Sequence, residues 1–211
     1  MRHVRVACVG DSITRGTFAW RRRVNAYPAQ LQEMLGSGYR VRNFGVNAHA
    51  AQRSADFPYW SSKAFAQSSA FAPHIVLIML GTNDSRGDNW KSLSAFAHDY
   101  RELVVHYLSL DSHPAAWLLT PPALFRLGRS TKVRYGMDEL ALVEMCGAIK
   151  EIADDLGCGL IDINAITAER PEALRFDGVH PGAAGQTLIA EAVFEALSGS
   201  GASQEQGDTH V

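Results

Sequence analysis

The chemistry in this chain is concentrated in three short clusters. Ser12 lies in Gly10-Asp11-Ser12-Ile13-Thr14, directly behind an apolar run, so a turn there places its hydroxyl at the end of a strand. A serine hydroxyl becomes a useful nucleophile only when a base takes its proton. Asp177-Gly178-Val179-His180-Pro181 offers that base: a carboxylate three residues before an imidazole can sit beside the ring, fix its tautomer and stabilise its protonated form. The free ring nitrogen would then face Ser12. Between these two, Gly81-Thr82-Asn83-Asp84 can project an amide into the same crevice. Each cluster alone is made of ordinary turn residues, and Asp-x-x-His could equally be a helix cap beside a structural histidine. Their joint occurrence, each behind a suitable element, points to acyl transfer through a serine.

Those elements read as alternating strands and helices. Residues 3–9 form a first strand ending at Gly10. Tyr27 to Leu35 form a helix stopped by Gly36, and residues 40–44 a second strand. Residues 75–80 are a continuous apolar run, as expected for a central parallel strand covered on both faces. Leu93, Phe96, Tyr100, Leu103, Val104 and Tyr107 recur at helical spacing within 91–110. A fourth strand at 117–119 is closed by Pro121-Pro122, and a helix at 138–156, a fifth strand at 159–163 and a last helix at 182–197 complete the pattern. Alternation of this kind builds a three-layer α/β/α sandwich, here with a five-stranded parallel sheet in the flavodoxin-like order 2-1-3-4-5. Ligands then gather beyond the carboxyl ends of the strands, where Ser12 and Asn83 fall. The irregular stretches 46–72 and 121–137 are expected to shape the pocket. One domain covers 1–197, and 198–211, with little to bury, reads as a flexible tail.

Composition narrows the classes. Hydrophobic residues make up 46% and charged residues 20% of 211, a globular balance rather than a disordered one. A net charge of −2 gives no general footprint for nucleic acid or an anionic membrane. Cys8, Cys146 and Cys158 form neither a CxxC pair nor a disulfide framework, and the first strand begins too early for a signal peptide, so the expected compartment is cytoplasmic. No apolar run approaches the roughly 18 residues of a membrane span. No His/Cys/carboxylate cluster has metal-ligand spacing, so no metal is expected. Oligomeric state is not legible.

The chain resembles the GDSL, or SGNH, family of serine hydrolases over roughly residues 4–197, through Gly10-Asp11-Ser12, Gly81-Thr82-Asn83-Asp84 and Asp177-Gly178-Val179-His180. The resemblance implies Ser12 as nucleophile, His180 as general base and then acid, Asp177 as its orienter, and an oxyanion hole of the Ser12 and Ala48 N–H groups with the Asn83 amide. It also implies a small-molecule ester substrate and no cofactor. One block departs: Asn43-Phe44-Gly45-Val46-Asn47-Ala48 carries alanine where the family has a glycine. Alanine can supply the same N–H if the backbone there does not require positive φ.

Further similarity, in Asn43-Phe44-Gly45-Val46, Pro58-Tyr59-Trp60, Asn89-Trp90 and Thr120-Pro121-Pro122, is to the bacterial branch described as sialate or carbohydrate O-acetylesterases. Asp11, His49, Tyr59, Trp60 and Trp90 are the corresponding candidate substrate-binding residues, the aromatic ones as faces for a sugar ring or as packing for their loops. Arg21-Arg22-Arg23 could attract an anionic substrate or be a solvated run. The alternatives are a lysophospholipase or thioesterase on the same triad, and a non-catalytic carbohydrate-binding protein, which would have no need of Ser12, Asn83, Asp177 and His180 together.

Overall fold

Val4–Gly10 (β1) pairs in parallel with Tyr39–Gly45 (β2) on one side and Ile75–Met79 (β3) on the other. Ala115–Leu119 (β4) and Gly159–Ile161 (β5) follow in turn, giving the parallel order β2-β1-β3-β4-β5 of the expected sandwich. The computed structural model describes residues 3–174 and 177–204. Period-two alternation splits the core. Ala7, Val9, Val76 and Ile78 face a layer that holds Phe96, Leu103 and Ile149, while Val6, Cys8, Leu77 and Met79 face Tyr27, Leu31 and Ile189.

The long helices begin where polar caps precede apolar periodicity. Ser92 accepts from the Ala95 N–H at the start of Leu93–Leu108, and Asp138 accepts from Leu140 and Ala141 at Glu139–Asp155. Counted along the chain, these are α5 and α6, after Ser12–Arg15 (α1), Arg22–Asn25 (α2), Tyr27–Leu35 (α3) and Lys63–Ala70 (α4), and before Ile163–Ala168 (α7) and Ala183–Gln204 (α8).

Four differences from the sequence reading have local causes. The fifth strand stops at Ile161 because Asp162 caps α7, its carboxylate accepting from the Ala165 N–H. The stretch 46–72 is not wholly irregular, since Ser62 caps α4 within it. Short α1 and α2 lack the length for a readable period. Helix α8 runs through Gln204, into the stretch read as a tail, of which 205–211 lie outside the described residues. Cys8, Cys146 and Cys158 are all free thiols. Among the described residues no helix is long and apolar enough to cross a membrane.

Candidate active site

The end of β1 leads into α1 through Asp11, which caps the helix by accepting from the Ile13 N–H at 2.8 Å and leaves Ser12 as its first residue. The end of β2 can lie against this turn only because residue 45 has no side chain: a Cβ on Gly45 would stand 2.3 Å from the Arg15 nitrogen and 2.8 Å from the Asp11 carbonyl oxygen. Gln186 ties α8 to the same place, donating to the Ile13 carbonyl at 3.0 Å and accepting from the Tyr27 N–H at 2.7 Å. The loop before α8 is therefore fixed relative to Ser12. Within that loop Gly178 takes φ +75°, and a Cβ there would meet the Phe125 carbonyl oxygen at 1.9 Å.

This frame brings the three outer candidates into one line. Ser12 Oγ lies 2.9 Å from His180 Nε2, and His180 Nδ1 lies 2.6 Å from Asp177 Oδ2. Asp177 is almost wholly buried, which alone would raise its pKa. Hydrogen bonds from the His180 ring and from the His180 and Val179 N–H groups outweigh that and hold the carboxyl down at about 2. An ionised carboxylate only accepts. Nδ1 must therefore donate to it, leaving Nε2 of the neutral ring to accept the Ser12 hydroxyl proton.

The central block plays two parts. Asn83 lines the cavity beside Ser12, and its amide donates to the His49 carbonyl at 3.0 Å and to Asp11 Oδ2 at 3.3 Å. Asp84, fully buried, accepts from the Ala51 and Gln52 N–H groups at 3.0 and 2.8 Å, which pins the loop that carries Ala48. Burial pushes the carboxyls of both Asp11 and Asp84 up to about 6. The Ile13 N–H and His180 oppose it at the first, and the Ala51 and Gln52 N–H groups oppose it at the second.

Ala48 lines the cavity with Ser12, Asn83 and His180, but its φ is +62°, so the positive-φ condition under which glycine is preferred does apply. A left-handed alanine carries a steric cost of about 1–2 kcal/mol, partly offset because glycine has more unfolded-state entropy to lose. Ala48→Gly is expected to raise unfolding stability by about 1 kcal/mol, read as a higher urea midpoint, and the main-chain N–H survives the change. An unchanged or lowered midpoint would show that this loop does not strain the alanine.

The cavity, of about 280 Å³, is completed by Thr17, Phe18, Asn47, Arg86, Tyr135 and Met137. The two long loops do contribute, through Asn47, Ala48 and Tyr135, yet the expected substrate-binding aromatics are elsewhere. Tyr59 is fully buried and donates to the Phe44 carbonyl at 2.8 Å. Trp60 donates to the Ala51 carbonyl, with the Arg53 guanidinium 3.5 Å over its ring, and Trp90 packs on the core. Asp11 is 1% exposed and committed to Ile13 and Asn83, and His49 contributes its carbonyl to Asn83 without lining the cavity. Arg22 and Arg23 line a separate cavity of about 530 Å³ with Arg15, while Arg21 lies over Trp20.

Phe18 and Tyr135 are the aromatics the sequence reading missed. Both rings meet His180 in T-shaped contacts, at 5.2 and 5.9 Å, and the Tyr135 hydroxyl donates to Asp177 Oδ2 at 3.1 Å. Arg86 enters the cavity wall held between Asp56 and Asp88, at 3.3 and 3.1 Å. Among the described residues no group of three or more histidines, cysteines and carboxylates gathers to hold a metal ion.

The GDSL-like lipase/acylhydrolase family profile matches residues 8–188, which take in all three clusters. The chain belongs to that family. The family is described as one of lipases and acylhydrolases. An acetylxylan esterase of Xylanibacter ruminicola is 32% identical over 92% of this chain, and the chain spans 43% of that relative's length. A carbohydrate acetylesterase from Sinorhizobium meliloti superposes with a TM-score of 0.76 at 19% identity, covering 94% of this chain and 99% of the other. The aryl esterase of M. smegmatis does so with 0.73 at 17% identity, covering 92% and 98%. At such identities these two likenesses speak for the shared fold.

Proposed function

We propose that this GDSL-family chain hydrolyses short-chain acyl esters, with O-acetyl groups on a neutral carbohydrate as its substrates and Ser12, His180 and Asp177 as its catalytic residues. The observation that carries the mechanism is the unbroken hydrogen-bonded line from Ser12 Oγ through His180 to Asp177 at the floor of an open cavity. The carbohydrate reading draws support from the acetylxylan esterase relative.

The steps follow from the protonation states. As Ser12 Oγ bonds to the ester carbonyl carbon, its proton passes to His180 Nε2, and the resulting imidazolium is stabilised by ionised Asp177. Negative charge grows on the carbonyl oxygen, facing the Ser12 and Ala48 N–H groups. Neither of these N–H groups is spent on a hydrogen bond within the chain among the described residues. The Asn83 amide joins them by turning one hydrogen from its longer contact with Asp11. Collapse breaks the bond to the alcohol, which leaves with the proton from Nε2. Water then repeats the sequence on the acyl-Ser12 ester and releases the acid.

The cavity also sets the acyl preference, through walls other than those expected from sequence. Each methylene that found room would gain about 0.8 kcal/mol, whereas overpacking costs about 1–3 kcal/mol. The cavity, about 280 Å³ in all, must hold the acyl chain together with the leaving alcohol, so space for added methylenes runs out early. Across a p-nitrophenyl series kcat/KM is expected to peak at acetate or propionate and to decline by octanoate. A steady rise to octanoate would replace the acetylesterase reading with a lipid or thioester one and leave the triad in place.

A further inference from the structure

Phe18 and Tyr135 share four properties that core packing does not require. Both line the cavity with Ser12. Both are large apolar side chains left open to solvent, Phe18 at 56% and Tyr135 at 50% exposure. Both rings stand nearly perpendicular to the His180 imidazole, at 81° and 79°. Both also hold left-handed backbone, at φ +64° and +62°, a conformation that costs an aromatic residue energy and persists where the surroundings impose it.

Each sits in a short turn, closed by the Ala19 N–H to the Gly16 carbonyl or by the Met137 N–H to the Arg134 carbonyl, and each turn is anchored to another part of the chain. The Thr17 hydroxyl, next to Phe18, donates to Asn47 Oδ1 at 2.8 Å. On the other wall the turn after Tyr135 is tied down by the Gly87 N–H to the Gly136 carbonyl and by the Asp138 N–H to the Ser85 carbonyl. Two strained segments from distant parts of the chain thus present exposed rings beside one catalytic histidine. His180 is also the group that must protonate the departing alcohol, so whatever the rings touch is the alcohol half of the ester.

We propose that Phe18 and Tyr135 form a subsite for the leaving alcohol and that its ligand is a neutral pyranose ring; this rests on the acetylesterase reading above. A pyranose has flat patches of C–H that suit aromatic rings, and hydroxyls at its rim. The cavity supplies the matching polar groups in the Asn47 amide and the Arg86 guanidinium. Arg86 is already paired with Asp56 and Asp88, so it suits a neutral hydroxyl better than a carboxylate. A purely apolar leaving group would use neither polar group beyond the bonds each already makes within the chain.

The test compares acetate release from acetylated xylotetraose with release from ethyl acetate, which has no ring to stack. For Phe18→Ala, kcat/KM on the sugar ester is expected to fall about tenfold more than on ethyl acetate, an increment of about 1.4 kcal/mol, and Phe18→Trp should restore the preference. Tyr135→Phe keeps the ring and should keep the sugar preference near wild type while changing the pH profile through the lost bond to Asp177. Equal losses on both esters, or none on the sugar, would overturn the subsite.

A second arm measures xylotetraose binding to Ser12→Ala protein by calorimetry, with and without Phe18→Ala. Binding that requires Phe18, in an enzyme releasing no acetate from sugars, keeps the subsite and removes the acetylesterase reading. Acetate release indifferent to Phe18 does the reverse. Absence of both binding and release overturns the two together.

Discussion

Ser12→Ala and His180→Ala are each expected to lower ester turnover by roughly 10⁴–10⁶-fold while leaving the melting temperature within a few degrees of wild type. The size follows from the arrangement acting as a unit: without Oγ no acyl bond forms, and without the imidazole nothing takes the proton. The small effect on folding follows from position. Both side chains sit at the carboxyl edge of the sheet and line the cavity, outside the two apolar clusters that hold the layers together. Turnover against p-nitrophenyl acetate, with thermal unfolding as the control, gives the answer, and a folded variant with near-normal turnover would remove that residue from the mechanism.

Asp177→Asn is expected to cost about 10⁴-fold, and to be at least as damaging as Asp177→Ala although it is the milder change in shape. Oδ1 of Asp177 accepts from both the Val179 and His180 N–H groups, at 2.9 and 2.8 Å. An asparagine must keep its oxygen there, since an NH₂ group would face two donors. Its NH₂ is then turned to His180 Nδ1, which must accept instead of donate. The ring proton moves to Nε2 and points at Ser12, so the base is blocked. Alanine leaves the imidazole less well oriented but free to choose its tautomer. Asp177→Asn protein with more than a tenth of wild-type kcat would contradict this chain of hydrogen bonds.

The strands and helices were legible because buried parallel strands are written as contiguous apolar runs, as in Ile75-Val76-Leu77-Ile78-Met79, and because the helices between them keep a clean period, whereas the strand order came with the fold class and from no particular residue. The meeting of Ser12, Asn83, Asp177 and His180 at one edge of the sheet was legible because each cluster adjoins a definite element. The walls of the cavity were not. Tyr59 and Trp60 carry the residue types of a sugar platform, yet side-chain direction in an irregular loop is set by tertiary contacts such as those to the Phe44 and Ala51 carbonyls. Phe18 and Tyr135 left no periodic signal, and each takes its positive φ inside a short turn, closed by the Ala19 N–H to the Gly16 carbonyl and by the Met137 N–H to the Arg134 carbonyl. Ala48 lies between these cases: the alanine in a glycine position was visible, whereas its φ had to be seen.

Treatment of the protein with an ester-like fluorophosphonate, followed by peptide mass spectrometry, tests the central assignment most directly. Such a probe traps the nucleophile that the neighbouring imidazole activates, independently of which ester is the natural substrate. A single adduct on Ser12, formed far more slowly in His180→Ala protein, is the expected result. Modification of another residue, or a Ser12 adduct that forms equally fast without His180, would contradict the account.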